Sequence, residues 1–359
     1  MLENIVELLI EWYEENHRIL PWRASKNPYY IWISEIMLQQ TRVEAVRPFF
    51  ERFIKALPQV EDVAVCPEEQ LLKLWEGLGY YNRVRNIQKA AIRIVEEYGG
   101  RLPADYEKLK DLPGIGNYTA GAVASIAYDL PVPAVDGNVL RVYARIMEDD
   151  SDILKQSVKT KVEKEFLEIM PGSRSGTFNQ ALMELGAMIC VPNGAPKCEQ
   201  CPVAQYCQAR AHGTALDLPV KKKSKERRKE EKTVLVLRDG ERVAIRKRPS
   251  KGLLAGLYEL PNLEGYLSEE EILSWVEEQD LTPLQIVPLV DAKHIFSHVE
   301  WDMHGYLAAA EGENNEFLWA DGAALQAAAI PSAFRYYFDT AVRWLAAQQG
   351  GTDHGTALL

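Results

Sequence analysis

Four of the five cysteines in this 359-residue chain lie in one short stretch: Cys190, Cys198, Cys201 and Cys207. The C-x7-C-x2-C-x5-C spacing offers four thiolates from one compact loop, which in a cytosolic chain indicates metal binding before disulfide bonding. Structural zinc more often uses two separate CxxC pairs, whereas a [4Fe-4S] cluster accepts this asymmetric spacing. We therefore predict one [4Fe-4S] cluster, with a zinc ion or four unligated thiols as alternatives. Cys66 stands apart and is expected outside the site.

The composition is 47% hydrophobic and 26% charged, which is typical of an ordinary globular protein. The sequence has no uninterrupted apolar run of about 18 residues, so no transmembrane helix is expected. Residues 1–16 follow an amphipathic helical pattern and lack the basic region of a signal peptide. These features predict a cytoplasmic protein that does not bind membranes.

Helical patterns dominate the first half of the chain. Apolar residues recur there at helical spacing, and Pro, Gly and Asp separate the segments. The predicted helices cover residues 2–13, 30–46, 69–78, 86–97, 118–127, 137–147, 158–169 and 178–190. We predict a mainly helical domain over 1–216 that includes the cysteine loop.

A basic segment and a strand-rich region follow. Residues 217–232 end in KKKSKERRKEEK, which has no apolar residue and predicts an interdomain linker. Two β-branched runs then flank Asp239 and Gly240, a strong signal for a β-hairpin. We predict a smaller α+β domain over 233–345 and a disordered tail over 346–359.

The net charge of −11 is unevenly distributed. Residues 261–359 hold 16 Asp and Glu against 3 Lys and Arg, so the rest of the chain carries a balance of +2. The helical part can therefore present a basic face to nucleic acid although the whole chain is acidic.

Residues 112–127, LPGIGNYTAGAVASIA, predict a tight turn that leads into an apolar helix. Gly114 and Gly116 would leave backbone N–H groups pointing outward beside the positive end of that helix. Such a geometry binds a phosphate without reading the base sequence. Taken alone, this pattern more often indicates a plain turn than a phosphate-binding site.

Two carboxylates stand out in the helical part. Glu35 lies within YYIWISEIMLQQTRV (29–43), a segment that is apolar almost all round. We expect burial to raise the pKa of Glu35, which suits a general acid. Asp136 precedes the apolar helix in PAVDGNVLRVYARI (133–146). The simpler interpretations are a Glu paired with an Arg or a backbone amide, and an Asp that caps a helix.

In this order and at these separations, the elements resemble the helix-hairpin-helix DNA glycosylases, and within them the adenine-specific MutY branch. The resemblance covers about residues 10–300. It is carried by LPWR (20–23), SEIMLQQTRV (34–43), WEGLGYYNRVRN (75–86), VDGNV (135–139), FNQALMELGA (178–187), the hairpin and the cysteine loop. It implies a monomeric repair enzyme, associated with the nucleoid through its DNA substrate. That enzyme would flip adenine mispaired with 8-oxoguanine or guanine out of duplex DNA and hydrolyse its N-glycosidic bond.

The resemblance also implies roles for individual residues. Glu35 would be the general acid that protonates the adenine. Asp136 would be the carboxylate that stabilises the oxocarbenium-like sugar or bonds to it transiently. The other implied positions are the catalytic helpers Tyr118 and Asn138, the adenine-pocket residues Trp22, Arg23 and Glu184, and the DNA contacts Gln40, Thr41, Tyr80, Gly114 and Gly116.

Tyr118 separates this chain from near relatives in the same superfamily. Endonuclease III-like enzymes carry a Lys at the matching position, where it forms a Schiff base with the abasic sugar and permits strand cleavage. The resemblance therefore implies a monofunctional hydrolase. A bifunctional glycosylase/lyase and a non-catalytic iron–sulfur DNA-binding module are the alternatives.

Downstream, RKRPSKGLLAGLYELP (246–261) resembles the entry strands of the NUDIX-like domain found in the same family. The acidic run at 269–271 lacks the preceding Arg and the spacing of the magnesium-binding NUDIX motif. We therefore predict a solvated helix start there and no pyrophosphohydrolase activity. Phe296, Ser297 and His298 match the family loop that contacts 8-oxoguanine, which implies that this domain recognises the lesion.

Overall fold

Helices build the first of the two units into which the chain divides. The computed structural model describes residues 2–222, 226–312 and 314–349. The first unit comprises residues 1–66 and 82–224, and the second comprises 67–81 and 225–359. Among the described residues, no helix is both long and apolar enough to cross a lipid bilayer.

Most of the eight predicted helices of the first part of the chain coincide with α-helices of the structure, which has twelve among the residues described there. In chain order they are α1 (Val6–Asn16), α2 (Pro28–Leu38), α3 (Val43–Ala56), α4 (Val60–Val65), α5 (Glu68–Leu74), α6 (Asn82–Tyr98), α7 (Tyr106–Lys110), α8 (Asn117–Tyr128), α9 (Gly137–Met147), α10 (Gln156–Ile169), α11 (Ser175–Met188) and α12 (Gln208–Ala211). Short 3-10 turns cover Leu2–Ile5, Pro21–Arg23, Cys198–Gln200 and Ala204–Tyr206. Of these helices, α5 belongs to the second unit.

A shared apolar core holds α1, α9, α10 and α11 together. Leu9, Val139, Phe166 and Phe178 are fully buried in it. Helix α9 begins directly after Asp136 and contributes buried residues along most of its length. The core therefore holds the start of this helix in place. Glu35, one of the two predicted catalytic carboxylates, lies on α2, most of whose residues are also buried.

The predicted helix over 30–46 is wrong in its extent. The structure ends α2 at Leu38 and begins α3 at Val43. Between them Gln40 has a φ of 59°, in the left-handed region that does not continue an α-helix. The Arg83 side chain donates from Nη1 to three carbonyl groups at the end of α2, over 2.7–3.2 Å. These bonds satisfy carbonyls that the helix itself leaves without a partner.

The second unit is centred on a mixed sheet of seven strands. They are β1 (Arg228–Asp239), β2 (Arg242–Lys247), β3 (Tyr258–Glu259), β4 (Asn262–Glu264), β5 (Thr282–Ile295), β6 (Val299–Glu311) and β7 (Leu318–Ala320). The order is β3-β2-β1-β6-β5, with β4 paired to β1 and β7 paired to β2. Only β1 and β6 pair in parallel among the described strands, and the predicted hairpin at Asp239 joins β1 to β2.

Helices cover both faces of this sheet. They are α13 (Glu269–Glu278), α14 (Gly322–Ala327) and α15 (Arg335–Gln349). Phe334, directly before α15, and Tyr337, in its first turn, are buried in the core on one face of the sheet. Ile272 and Val276 of α13 are buried in the core on the other face. The acidic run at 269–271 is the first turn of α13, as predicted, and a capping box with Ser268 fixes it.

Two predicted boundaries differ from the structure. Strand β1 begins at Arg228 and so replaces the last five residues of the predicted linker 217–232. The reason is long-range pairing, because Arg228 already lies in register with Val299 of β6. Helix α15 continues to Gln349, past the predicted start of the tail at 346. Residues 350–359 of that predicted tail lie outside the described residues.

Candidate active site

Glu35 lies in the middle of α2 and is only 6% exposed. Burial raises the pKa of its carboxyl to about 7. The hydrogen bond from Tyr118 and the charge of Arg23 oppose this rise, whereas the nearby charge of Asp136 adds to it. Near neutral pH the carboxyl is therefore divided between its acid and base forms, the condition in which a general acid works best.

Tyr118, in the first turn of α8, is the direct partner of this carboxyl. Its hydroxyl donates a hydrogen bond to Glu35 Oε2 and lies 3.9 Å from Met183 Sδ. Burial and the charge of Glu35 raise the pKa of the Tyr118 phenol well above its usual value. Tyr118 therefore stays protonated and acts as a hydrogen-bond donor. The next residue, Thr119, accepts a hydrogen bond of 3.3 Å from Gln39 at the end of α2.

Asp136 is the N-cap of α9, as the simpler interpretation of the sequence predicted. Its Oδ1 accepts hydrogen bonds from the backbone N–H groups of Asn138 and Val139, at 2.9 and 2.8 Å. Its Oδ2 accepts a third bond, of 2.7 Å, from Asn138 Nδ2. Burial raises the pKa of Asp136, and these three bonds oppose that rise. The cap fixes the orientation of a carboxylate whose charge acts on Glu35, so capping and a chemical role are compatible.

The segment that leads to Asp136 is held by a residue that sequence reasoning missed. Asn179 of α11 is 1% exposed and uses both ends of its amide. Its Oδ1 accepts from the N–H of Ala134 at 3.0 Å. Its Nδ2 donates to Ser125 Oγ and to the Val132 carbonyl, at 2.8 and 2.9 Å. The only signal in the sequence was its place in FNQALMELGA, a stretch that carried the resemblance.

A glycine of α8 completes the support for this segment. A Cβ atom placed on Gly121 would lie 2.2 Å from the Pro133 carbonyl oxygen. No side chain fits in that space, so the glycine lets the backbone before Asp136 pack directly against α8.

Asn138 also connects the site to the cysteine loop. Its Oδ1 accepts a hydrogen bond of 2.8 Å from Arg141 Nη2. Arg141 Nε donates in turn to the Cys190 carbonyl, also at 2.8 Å. A continuous set of hydrogen bonds therefore runs from Asp136 along α9 to the first cysteine. Arg141 was missed because an Arg in an apolar helix gives no indication of its partner.

The three predicted adenine-pocket residues occupy one region of the first unit. Glu184 is 1% exposed and accepts hydrogen bonds from Arg18 and from Arg23, the latter at 2.8 Å. Burial opposes ionisation of Glu184, but the two arginines outweigh it and hold its pKa at about 2. Trp22 is buried, with its ring centroid 5.4 Å from that of Phe50. Arg18 is an addition that the sequence did not predict.

The cysteine loop forms a cavity next to α9. The cavity is lined by Cys190, Cys198, Cys201 and Cys207, together with Arg145 and other residues. Burial raises the pKa of the Cys201 thiol to about 12 and raises that of Cys207 as well. Cys66 is buried elsewhere and does not line the cavity, as predicted.

The donor set of this cavity is four cysteine side chains. Four thiolates are the ligands of a [4Fe-4S] cluster, in which each binds a different iron, and also of many structural zinc sites. The side chains present therefore fit a [4Fe-4S] cluster in kind and in number.

The predicted DNA contacts of the first unit lie at two helix ends. Gly114 has a φ of 76°, and a Cβ atom there would lie 2.6 Å from Asn86 Cβ, so the turn requires glycine. Gly116 is the N-cap of α8. Gln40 is exposed and Thr41 half-buried, in the break between α2 and α3.

In the second unit the predicted DNA contact Tyr80 meets the predicted lesion-contacting loop. The Tyr80 hydroxyl lies 2.8 Å from Ser297 Oγ. Tyr80 is 50% exposed, and Ser297 and His298 are exposed in the turn between β5 and β6. Phe296 instead points to the core, with its ring centroid 4.8 Å from that of Trp301. The structure thus places one aromatic ring and two polar side chains at this surface.

Comparison with known proteins gives consistent results over most of the chain. Residues 33–171 match the HhH-GPD superfamily of base excision DNA repair proteins, and residues 233–340 match the NUDIX domain. The chain is similar to the adenine DNA glycosylase of Homo sapiens, with 32% identity over 97% of this chain and 75% of that protein. It is also similar to the adenine DNA glycosylase of Buchnera aphidicola (strain Bp), with 34% identity over 82% of each chain.

Two solved structures resemble the helical part. A thermostable thymine-DNA glycosylase aligns with a TM-score of 0.52 and 28% identity, over 58% of this chain and 96% of that one. An endonuclease III solved as a non-covalent complex with DNA aligns with a TM-score of 0.50 and 26% identity, over 59% of this chain and 96% of that one.

Proposed function

Because the chain belongs to the adenine DNA glycosylase family of base excision repair, we propose that it hydrolyses adenine from mispairs with 8-oxoguanine or guanine, as a monofunctional enzyme. The observation that carries this proposal is the juxtaposition of Glu35, Tyr118 and Asp136. It combines a proton donor whose pKa is near neutrality with a second carboxylate held by three hydrogen bonds.

These two carboxylates suit the two demands of N-glycosidic cleavage. Protonated Glu35 gives its proton to a ring nitrogen of the flipped adenine, so that the base leaves as a neutral molecule. The sugar then develops positive charge, which the Asp136 carboxylate stabilises before water attacks. Glu35, now ionised, can accept the proton of that water, and the hydroxyl of Tyr118 holds its carboxyl in place.

The monofunctional assignment rests on Tyr118. A Schiff base with the abasic sugar needs an amine, and the side chain beside Glu35 is a phenol. We expect borohydride treatment of the enzyme with abasic DNA to trap no covalent complex. Efficient trapping would favour the bifunctional alternative instead.

We propose that Cys190, Cys198, Cys201 and Cys207 hold one [4Fe-4S] cluster. The cavity they share supports this assignment. When bound, the cluster would cross-link the four cysteines of the loop and contribute negative charge beside Arg145 of α9. Purified protein should be brown, absorb at about 400 nm and contain about four iron atoms per chain. A colourless protein with one zinc would contradict this proposal.

Lesion recognition is proposed for the second unit. Tyr80 offers an aromatic ring for stacking in the DNA, and the adjacent Ser297 and His298 offer hydrogen-bonding groups for the edge of 8-oxoguanine. Such contacts would explain how an enzyme that removes an undamaged base avoids adenine in A:T pairs. We further propose that it acts as a cytoplasmic monomer on duplex DNA.

The test of the proposed function is single-turnover excision from matched duplexes. Adenine should be released fastest opposite 8-oxoguanine, more slowly opposite guanine, and not measurably opposite thymine. A Glu35→Gln preparation controls for contaminating glycosylases. Binding without any excision would favour the non-catalytic alternative.

A further inference from the structure

Two buried arginines of α9 face the cysteine loop. Arg141 is 4% and Arg145 3% exposed, and because they are four residues apart they lie on the same side of the helix. Arg145 Nη1 lies 3.2 Å from Cys190 Sγ and 3.0 Å from the Val191 carbonyl oxygen. Arg145 Nε donates to the Leu218 carbonyl at 3.0 Å.

Among the described residues neither guanidinium group forms an ion pair with a carboxylate, although the charge of Asp136 acts on Arg141. Within the described part of the chain, their hydrogen-bond partners are backbone carbonyls, the Asn138 amide oxygen and the Cys190 sulfur. Carbonyl dipoles satisfy N–H groups but do not neutralise charge. Two positive charges buried side by side are strongly unfavourable unless a negative charge lies close to them.

We propose that Arg145, together with Arg141, supplies the counter-charge of the cluster, and that Arg145 thereby sets its reduction potential. This inference rests on the [4Fe-4S] cluster of the proposed function. Four thiolates around a doubly positive core leave two negative charges, which match the two guanidinium groups. Adding an electron increases the negative charge, so a neighbouring cation and an N–H···S bond both favour the reduced state.

Arg210 provides a matched control at the same cavity. It also lines the cavity, but its side chain is 40% exposed and pairs with Glu199 at 3.4 Å. Solvent and this partner screen its charge. Removing the charge of Arg210 should therefore alter the cluster much less than removing that of Arg145.

The experiment compares full-length Arg145→Gln, Arg145→Lys and Arg210→Gln with the unchanged protein. The readouts are the iron content, the absorbance at about 400 nm and the one-electron midpoint potential of the cluster, measured by protein-film voltammetry. For Arg145→Gln, the ratio of reduced to oxidised cluster at a fixed potential should fall about tenfold, which equals about 59 mV. Arg145→Lys should show a smaller fall, and Arg210→Gln a change of less than about twofold.

An unchanged potential in fully loaded Arg145→Gln would overturn the inference. If Arg145→Gln binds no iron although circular dichroism shows it folded, full loading of Arg145→Lys would support the need for charge at this position. Equal loss of iron in both variants would contradict it, because lysine keeps the charge. Absence of iron from the unchanged protein would overturn the cluster assignment itself.

Discussion

Glu35 is the residue at which burial and chemistry are most closely connected. In the proposed reaction its side chain carries a proton to the leaving base, and glutamine has the same shape without that proton. We expect Glu35→Gln to lower the single-turnover excision rate by about 10²–10⁴-fold, the usual contribution of a general acid. DNA affinity in a gel-shift assay should stay within about twofold, because the lost interaction acts only in the transition state.

A matched substitution separates this effect from a general change of charge. Glu168 is exposed near the end of α10, and Glu168→Gln removes one negative charge at the surface. Its excision rate should equal that of the unchanged protein. A similar loss of rate in both variants would contradict the role assigned to Glu35.

The pH dependence of excision gives a second prediction at the residue scale. Glu35 has a pKa of about 7, and as the proposed general acid it acts in its protonated form, so the rate should fall as the pH rises through about 7. The Tyr118 hydroxyl stabilises the ionised carboxyl and therefore lowers this pKa. We expect Tyr118→Phe to raise it and to move the falling limb of the pH–rate profile to higher pH. An unmoved limb, or one at lower pH, would refute this coupling.

Local pattern was sufficient to predict the environment of Glu35 but not the supports of Asp136. An acid with apolar residues on almost every side of its helix is expected to be buried, and burial raises the pKa of a carboxyl. Asn179, in contrast, acts through bonds to residues more than 40 positions away. Such pairings depend on how helices pack, and a single sequence carries no record of them.

At the scale of elements, α11 holds the backbone that presents Asp136. Asn179→Ala would leave the N–H of Ala134 and the carbonyl of Val132 buried without this partner. Each unsatisfied group of this kind costs about 1–3 kcal/mol. We expect a lower midpoint of thermal unfolding and a lower excision rate. On the same helix, Gln180→Ala should change both less, because the Gln180 side chain is only partly buried. Equal effects of the two substitutions would contradict the positioning role.

The break between α2 and α3 shows the limit of periodicity at this scale. The apolar pattern of 30–46 continues through residues 39–42, so it predicts one helix. The structure ends α2 at Leu38, where Arg83 of α6 binds the last carbonyl groups. The strand start at Arg228 has a similar cause, since its partner strand is about 70 residues away. Tertiary contacts of this kind override local sequence signals.

In the whole molecule, the division into two structural units does not follow the order of the chain. Residues 67–81 lie within the helical part of the sequence but belong to the second unit. Lys73 Nζ donates to the Ala328 carbonyl at 2.9 Å, and Arg335 pairs with Glu76 at 3.1 Å. Deleting 233–359 would remove the partners of this segment as well as the proposed lesion loop. Point substitutions in the full chain are therefore the sharper test of lesion recognition.

The last prediction follows from that choice. Ser297→Ala combined with His298→Ala removes the polar groups of the loop and leaves Phe296 in the core. A good hydrogen-bonded base contact discriminates by about 1–3 kcal/mol. We therefore expect the ratio of excision rates for A:8-oxoguanine over A:G to fall by about tenfold or more, while the rate on A:G stays within about twofold. Tyr80→Phe keeps the ring but removes the hydroxyl that meets Ser297, so it should give a smaller loss. An unchanged ratio in the double variant would show that recognition of 8-oxoguanine resides elsewhere in the molecule.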